Sequence, residues 1–368
     1  MSRARDLANL GGSADAGGLT GRSIVINGNM TLAQRGTSST TNGYGSVDRW
    51  QNSYSGGTST GSQESLTSSD TPYGLGFRNF FRLTNTATAS GTSDYRQLVQ
   101  QIEAQNIANS GWNYTSASSF VTLSFWVRTS VAGKYGIILV ANDSPAYQFA
   151  FTETLSANTW TKVTKTISGN SNLVFNNDNG AGLTLAIEAW MGSDYTDASA
   201  TLDSWVAFDT SVYLPTDIVN WAGTSSATFD VTGVQLEVGT TATPFEHEDF
   251  GTTLAKCQRY YYKIAVDTTQ DSFCMGHCDT TTNANGTLSF AVTMRDSPTA
   301  LETSGTAGHY QIRSAGANKG GGSVPTFVRA TKDTAYIQFG GASGLTAGNA
   351  ATLRSANTSA YLAWSAEL

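Results

Sequence analysis

The chain has 368 residues, room for two ordinary domains, and its 21 Lys and Arg against 28 Asp and Glu give a formal net charge of −7. An acidic chain with no basic stretch interleaved with aromatics repels phosphate backbones, which argues against nucleic-acid binding. Charged residues make up only 13%, yet aromatics reach 11%, so core-forming side chains are plentiful and disorder is the weaker reading.

Ser, Thr, Asn and Gly fill the space left by charge. Ser, Thr and Asn compete for backbone hydrogen bonds in a helix, whereas Thr, Tyr, Phe, Trp and Val suit a pleated surface, so composition points to β structure. The longest apolar run, residues 135–141, is far short of the ~18 residues a membrane span needs, and no membrane insertion is expected. After Arg3 and Arg5 no apolar stretch of about 7 to 15 residues follows, so no secretory leader is expected. The three cysteines, Cys257, Cys274 and Cys278, argue against a disulfide framework and fit folding in a reducing cytoplasm.

In chain order, residues 1–22 read as a flexible arm. Residues 3–10 make one or two helical turns that Gly11 and Gly12 stop, and Gly17, Gly18 and Gly21 leave the rest free. Such an arm buries little by itself and takes its order from a partner, with Arg3, Arg5, Leu7 and Leu10 as the contacts.

Residues 23–250 read as a β-sandwich or jelly roll. Ile24, Val25 and Ile26 form a β run ended by Asn27-Gly28, and Val121, Leu123, Phe125 and Val127 alternate with Thr122, Ser124, Trp126 and Arg128. The same period recurs in Leu183, Leu185, Ile187 and Ala189 against Thr184, Ala186, Glu188 and Trp190, with further strands at 135–141 and 147–151. Residues 95–107 fit either a strand or a helix, and we favour the strand. Leu254, Cys257, Tyr261 and Ile264 have helical spacing, which predicts a hinge helix over 251–264. Residues 265–368 return to short strands, for example 288–294, 334–339 and 360–364, and predict a smaller C-terminal β domain.

Several strings in order carry a resemblance. Ile26-Asn27-Gly28-Asn29-Met30, Ala33-Gln34-Arg35-Gly36 and Asp48-Arg49-Trp50 are followed by Gln101-Ile102-Glu103, the strand at 122–127 and Asn158-Thr159-Trp160. Then come residues 233–237 (GVQLE), 243–246 (TPFE), 257–262 and 294–298, and Ser365-Ala366-Glu367-Leu368. Together they resemble tail-fibre and related virion proteins of tailed bacteriophages. The resemblance implies a virion component made in the host cytoplasm, with a carbohydrate-binding-module-like sandwich, commonly a homotrimer. It also implies that residues 1–22 anchor the chain to other virion proteins. Such modules occur in head fibres and collar proteins too, so a capsid or collar decoration protein is the alternative location.

The sequence gives no support for an enzyme. Its histidines, His247, His277 and His309, sit in no catalytic motif, and Glu246-His247-Glu248-Asp249 reads as a loop rather than a reaction centre. A polysaccharide depolymerase, the second alternative, needs two facing carboxylates that no spacing here suggests. Cys274, Met275, His277 and Cys278 place soft ligands close together, but a zinc site needs four and Cys257 lies across the hinge, so neither metal nor cofactor is expected. Sugar binding has a mechanism: aromatic faces stack on the apolar face of a pyranose while neighbouring polar groups bond its hydroxyls. If the two alternating strands are neighbours, Trp126, Arg128, Glu188 and Trp190 share one surface facing a host-surface glycan. Loop aromatics Trp112, Tyr114, Tyr195 and Trp221 compete for that role, and residues 260–262, three tyrosines, read as packing.

Overall fold

The computed structural model describes residues 21–368, so the candidate anchor residues Arg3, Arg5, Leu7 and Leu10 lie outside the described residues. Two compact units emerge, one ending at Asp249 and taking in Leu368, the other spanning Phe250–Glu367. Both are built of antiparallel strands.

In the first unit the strands are β1 (Ser38–Ser39), β2 (Gln51–Ser55), β3 (Thr58–Ser65), β4 (Asn79–Ala87), β5 (Tyr95–Glu103) and β6 (Phe120–Thr129). They continue with β7 (Gly133–Ala141), β8 (Tyr147–Leu155), β9 (Thr161–Ser168), β10 (Ala181–Met191), β11 (Trp205–Ala207) and β12 (Thr228–Val238). Two six-stranded sheets result, in the orders β1-β3-β4-β12-β6-β9 and β11-β8-β7-β10-β5-β2. The chain passes repeatedly from one sheet to the other, as a jelly roll does. Between the sheets, Phe125, Val127, Phe229 and Val231 meet Ile137, Leu139, Leu185 and Ile187, and Tyr135 lies 5.2 Å from Phe229. The ambiguous stretch at 95–107 is a strand to Glu103 and then a short helix, α1 (Ala104–Ala108), so the two readings apply in succession.

The strings behind the virion resemblance turn out to lace this scaffold. Asn27 adopts φ 55°, which its short side chain tolerates, and donates to the carbonyls of Leu32 and Asp48 while accepting from the N–H groups of Thr31 and Leu32. Its own carbonyl takes the Trp50 indole N–H at 3.1 Å. Asp48 accepts from the backbone and side chain of Gln34, Arg49 donates to the Gln101 carbonyl, and the Gln100 amide bonds both backbone groups of Ile26. Gly28 is required by close approach: a Cβ there would sit 1.9 Å from the Val234 carbonyl oxygen on β12. Buried polar groups of this kind are tolerated because each finds a partner.

The second unit opens with α2 (Phe250–Gln258) and continues with β13 (Tyr261–Ala265), β14 (Ser272–Cys278), β15 (Ala284–Ser289), β16 (Glu302–Thr303) and β17 (Tyr310–Ser314). Then follow β18 (Ala317–Gly320), β19 (Thr326–Ala330), β20 (Thr334–Phe339), β21 (Ala350–Ser355) and β22 (Tyr361–Ser365). They form a three-stranded sheet, β13-β22-β16, and a seven-stranded one, β18-β17-β21-β14-β15-β20-β19, around Phe273, Ile312, Ile337, Leu353 and Trp364. The predicted helix over 251–264 is thus too long. Leu254 and Cys257 are helical, but Tyr261 and Ile264 belong to β13, where pairing with β22 overrides the helical spacing. The expected strand at 288–294 likewise ends at Ser289.

Candidate functional site

On β6 the inward side chains are Val121, Leu123, Phe125 and Val127, so Ser124, Trp126 and Arg128 stand on the outer face of their sheet. Lys162 of β9 and Gly233, at the bulge of β12, share that face. Above them, Leu75 and Phe77 come from the segment before β4, and residues 242–245 and His247 from the segment after β12. Together they enclose a hollow of about 390 Å³, within the range of ~300–1,000 Å³ typical of ligand pockets.

One wall is a packed aromatic trio: Phe77 lies 4.9 Å from Phe245 and 5.0 Å from His247, and the latter two are 5.1 Å apart. His247 Nε2 donates to the Leu75 carbonyl at 3.0 Å, fixing the ring against the other side of the wall. The floor is the partly exposed Trp126, with Ser124 and Lys162 beside it. Among the described residues no Asp or Glu lines the hollow.

Glu246 holds this wall in place. Its carboxylate accepts from the backbone N–H groups of Gly21, Arg22 and Ser23, and Arg22 donates to the Thr243 hydroxyl and the Pro244 carbonyl. Glu237 accepts from the Thr243 N–H and hydroxyl, and Gln235 accepts the Glu246 N–H at 2.8 Å. The 246–249 cluster is therefore a clamp at its first member.

Arg128 is used differently from the expectation that it contacts ligand. Its guanidinium donates to Asp230 and Asp70, at 2.9 and 2.8 Å, and Asp230 also takes a two-pronged bond from Arg82. The same group lies over Trp160 at 4.6 Å and Phe80 at 5.4 Å, and the Trp160 indole donates to Asp70. Burial pushes the Asp70 carboxyl up. Bonds from the Thr67 N–H, the Trp160 indole and the Thr67 hydroxyl, with the Arg128 charge, outweigh that and hold it below the usual carboxylate range. Arg128 is a positioning residue whose donors are already engaged.

Glu188 and Trp190 lie elsewhere. They are on β10, in the other sheet, so the shared surface with Trp126 and Arg128 does not form. A bulge between Glu188 and Trp190 breaks the alternation, and Trp190 joins the core between the sheets with 8% of its surface exposed. Glu188 is buried on the far side of its sheet, near Tyr213, and neither carboxyl oxygen has a hydrogen-bond partner among the described residues. Burial pushes its pKa well above the ordinary value.

The competing aromatics are largely packed. Trp112 and Trp221 are buried in the main core, Tyr114 packs against Phe175 at 4.9 Å, and Tyr195 against Tyr95 at 5.9 Å. Tyr260 and Tyr261 are buried. Cys274 to Cys278 form strand β14, not a loop: Cys278 faces the core and reaches the Ser314 hydroxyl, while Met275 and His277 are exposed. Burial pushes the Cys274 thiol up to about 11. Among the described residues no group of three or more His, Cys, Asp or Glu is placed to hold a metal ion. No helix among them is long and apolar enough to cross a membrane. Trp160, Phe77 and Phe245 were missed as site residues; only the Asn158-Thr159-Trp160 and 243–246 strings marked two of them.

No protein-family model matches the sequence, and no curated protein is significantly similar to it. Among solved structures, the chain is similar to the enzymatically active domain of bacteriophage CBA120 tailspike protein 4, with 10% identity and a TM-score of 0.33. That alignment covers 59% of this chain and only 21% of the tailspike chain. It is similar also to the CBM22-1 xylan-binding domain of Paenibacillus barcinonensis Xyn10C, with 10% identity, a TM-score of 0.29, and 61% and 100% of the two chains covered. The Stig cyclase FisC of Fischerella sp. TAU gives 12% identity, a TM-score of 0.35, and 60% and 99% coverage. These proteins differ in function, so the choice of function rests on the site itself.

Proposed function

We propose that the first unit is a carbohydrate-binding sandwich that takes a glycan in the hollow above Trp126, and that the protein is a non-catalytic component of a tailed-phage particle that contacts host-surface sugar. The observation that carries the binding reading is the pairing of a partly exposed indole floor with a Phe77, Phe245 and His247 wall in one open hollow. An indole face accepts the apolar side of a pyranose, while Lys162 and Ser124 stand where ring hydroxyls need partners.

The non-catalytic reading is tested by its opposite: release of oligosaccharide from host envelope by the full chain, which needs two facing carboxyl groups, overturns it. The virion reading rests on the ordered strings from Ile26 to Leu368. A homotrimer, which the same resemblance implies, multiplies weak single contacts into useful avidity.

Glycan-array screening of the full chain, followed by titration of the best ligand against Trp126→Ala, tests the binding reading. Loss of the stacked indole is expected to weaken binding about 30-fold, from the roughly 2 kcal/mol carried by one buried aromatic face, with circular dichroism unchanged. Equal binding by Trp126→Ala defeats the assignment. Labelled antibody on purified particles tests the virion reading, and density on the head rather than the tail selects the decoration alternative.

A further inference from the structure

On the outer face of the seven-stranded sheet, β17 and β21 run side by side with Gln311 opposite Arg354 and Arg313 opposite Thr352. Arg313 and Arg354 are therefore diagonal neighbours on one face. Asn318 of β18, opposite Arg313, accepts from both: from Arg313 Nη1 at 3.3 Å and from Arg354 Nη2. Two guanidinium groups thus share one amide oxygen, and neither makes an ion pair among the described residues. Arg354 is only 7% exposed, and its Nε has no hydrogen-bond partner among the described residues.

This arrangement is incomplete as it stands. A guanidinium is always charged and presents a fork of donors matched to a planar or tetrahedral oxyanion. Arg82 and Arg128 in the first unit satisfy that need with Asp230, whereas Arg313 and Arg354 have only a neutral carbonyl between them. Burial, and then the charge of Arg313, hold the Arg354 guanidinium below its ordinary value, the direction expected for a cation lacking its counter-charge. Thr352 adds a hydroxyl beside Arg313 on the same face.

We infer that Arg313 and Arg354, with Asn318 and Thr352, form a second binding site that takes an oxyanion: the sulfate, phosphate or carboxylate group of an acidic ligand. An oxyanion seated between the two forks accepts from both guanidinium groups and supplies the counter-charge that Asn318 does not. The site is independent of the hollow above Trp126, so either assignment stands or falls without the other.

The test uses the full chain labelled with ¹⁵N-arginine, titrated separately with inorganic sulfate, inorganic phosphate and glucuronate against sodium chloride at constant ionic strength. The Nε–Hε signal of Arg354, assigned by its loss in Arg354→Lys, is expected to move saturably with at least one of the three. Arg313→Gln, at an exposed position, is expected to weaken that binding ~10-fold with the melting temperature unchanged, the loss of one charge-assisted bond. The tightest of the three anions identifies the source of the oxyanion. Trp126→Ala is expected to leave the titration unaltered. A response equal to that of chloride for all three anions, or one that Arg313→Gln leaves untouched, overturns the inference.

Discussion

The two outer faces of the sandwich each bury a carboxylate, and they treat it in opposite ways. Asp230, on the face that carries Trp126, is 1% exposed and accepts hydrogen bonds from Arg82 and Arg128. Glu188, on the face of the other sheet, is also 1% exposed and has no hydrogen-bond partner for either oxygen among the described residues. Around Asp230 the charges are matched and the aromatic rings of Phe80 and Trp160 stack on the guanidinium. Around Glu188 lie Val99, Ile138, Ala186 and Leu214, a second apolar layer covering the sheet. The first face is organised to hold rings and polar groups in fixed positions beside an open hollow; the second is closed by packing, and burial pushes the pKa of its acid up.

The largest expected effect breaks the matched face. Asp230→Ala removes the carboxylate that Arg82 and Arg128 share, leaving Arg128 with Asp70 alone, and is expected to cost about 3 kcal/mol, the low end for a buried pair because both arginines keep some contact with water. Urea unfolding of the first unit reads this directly. A loss no greater than that of an exposed ion pair means that Asp230 is not what organises the face.

Glu188→Met tests the other side with the opposite sign. Replacing an unpartnered buried carboxyl by an apolar side chain of similar volume is expected to stabilise by about 1–3 kcal/mol at neutral pH. The pH dependence follows from the raised pKa: the folded protein holds the proton more tightly than the unfolded chain does. The stability associated with Glu188 is therefore complete below its ordinary value of 4.5 and falls as pH rises toward the elevated folded value. Thermal melts between pH 4 and 8 are expected to show that slope in the natural chain and less of it in Glu188→Met. Equal slopes overturn the contrast between the faces.

What the sequence made legible follows the same division. The alternation along β6 placed Trp126 on an outer face correctly, because nothing interrupts its period of two between Val121 and Val127. Along β10 the same reasoning failed at Trp190, since a bulge adds a residue that alternation alone does not reveal. Nor does a period of two say which strand lies alongside, so the separation of β6 and β10 into different sheets was not readable. Arg128 looked available because its carboxylate partners, Asp70 and Asp230, are 58 and 102 residues away. The strings of the virion resemblance, among them Asn27, Asp48, Trp50, Gln235 and Glu246, are mainly scaffold and clamp residues. They marked the frame more clearly than the hollow that the frame supports.

The smallest expected effect on stability concerns the junction of frame and hollow. Gly233 has φ 64° at the β12 bulge, and a Cβ there would lie 2.7 Å from the Phe77 ring. Gly233→Ala is expected to cost about 1–2 kcal/mol from the left-handed backbone alone. The ring must also shift, and Phe77 carries His247 and Phe245 with it. Binding measured by calorimetry is therefore expected to weaken several-fold, though residue 233 offers a ligand no side-chain partner. Binding that survives at full strength while stability drops means that the aromatic wall yields to its ligand, and that Trp126 alone sets the recognition.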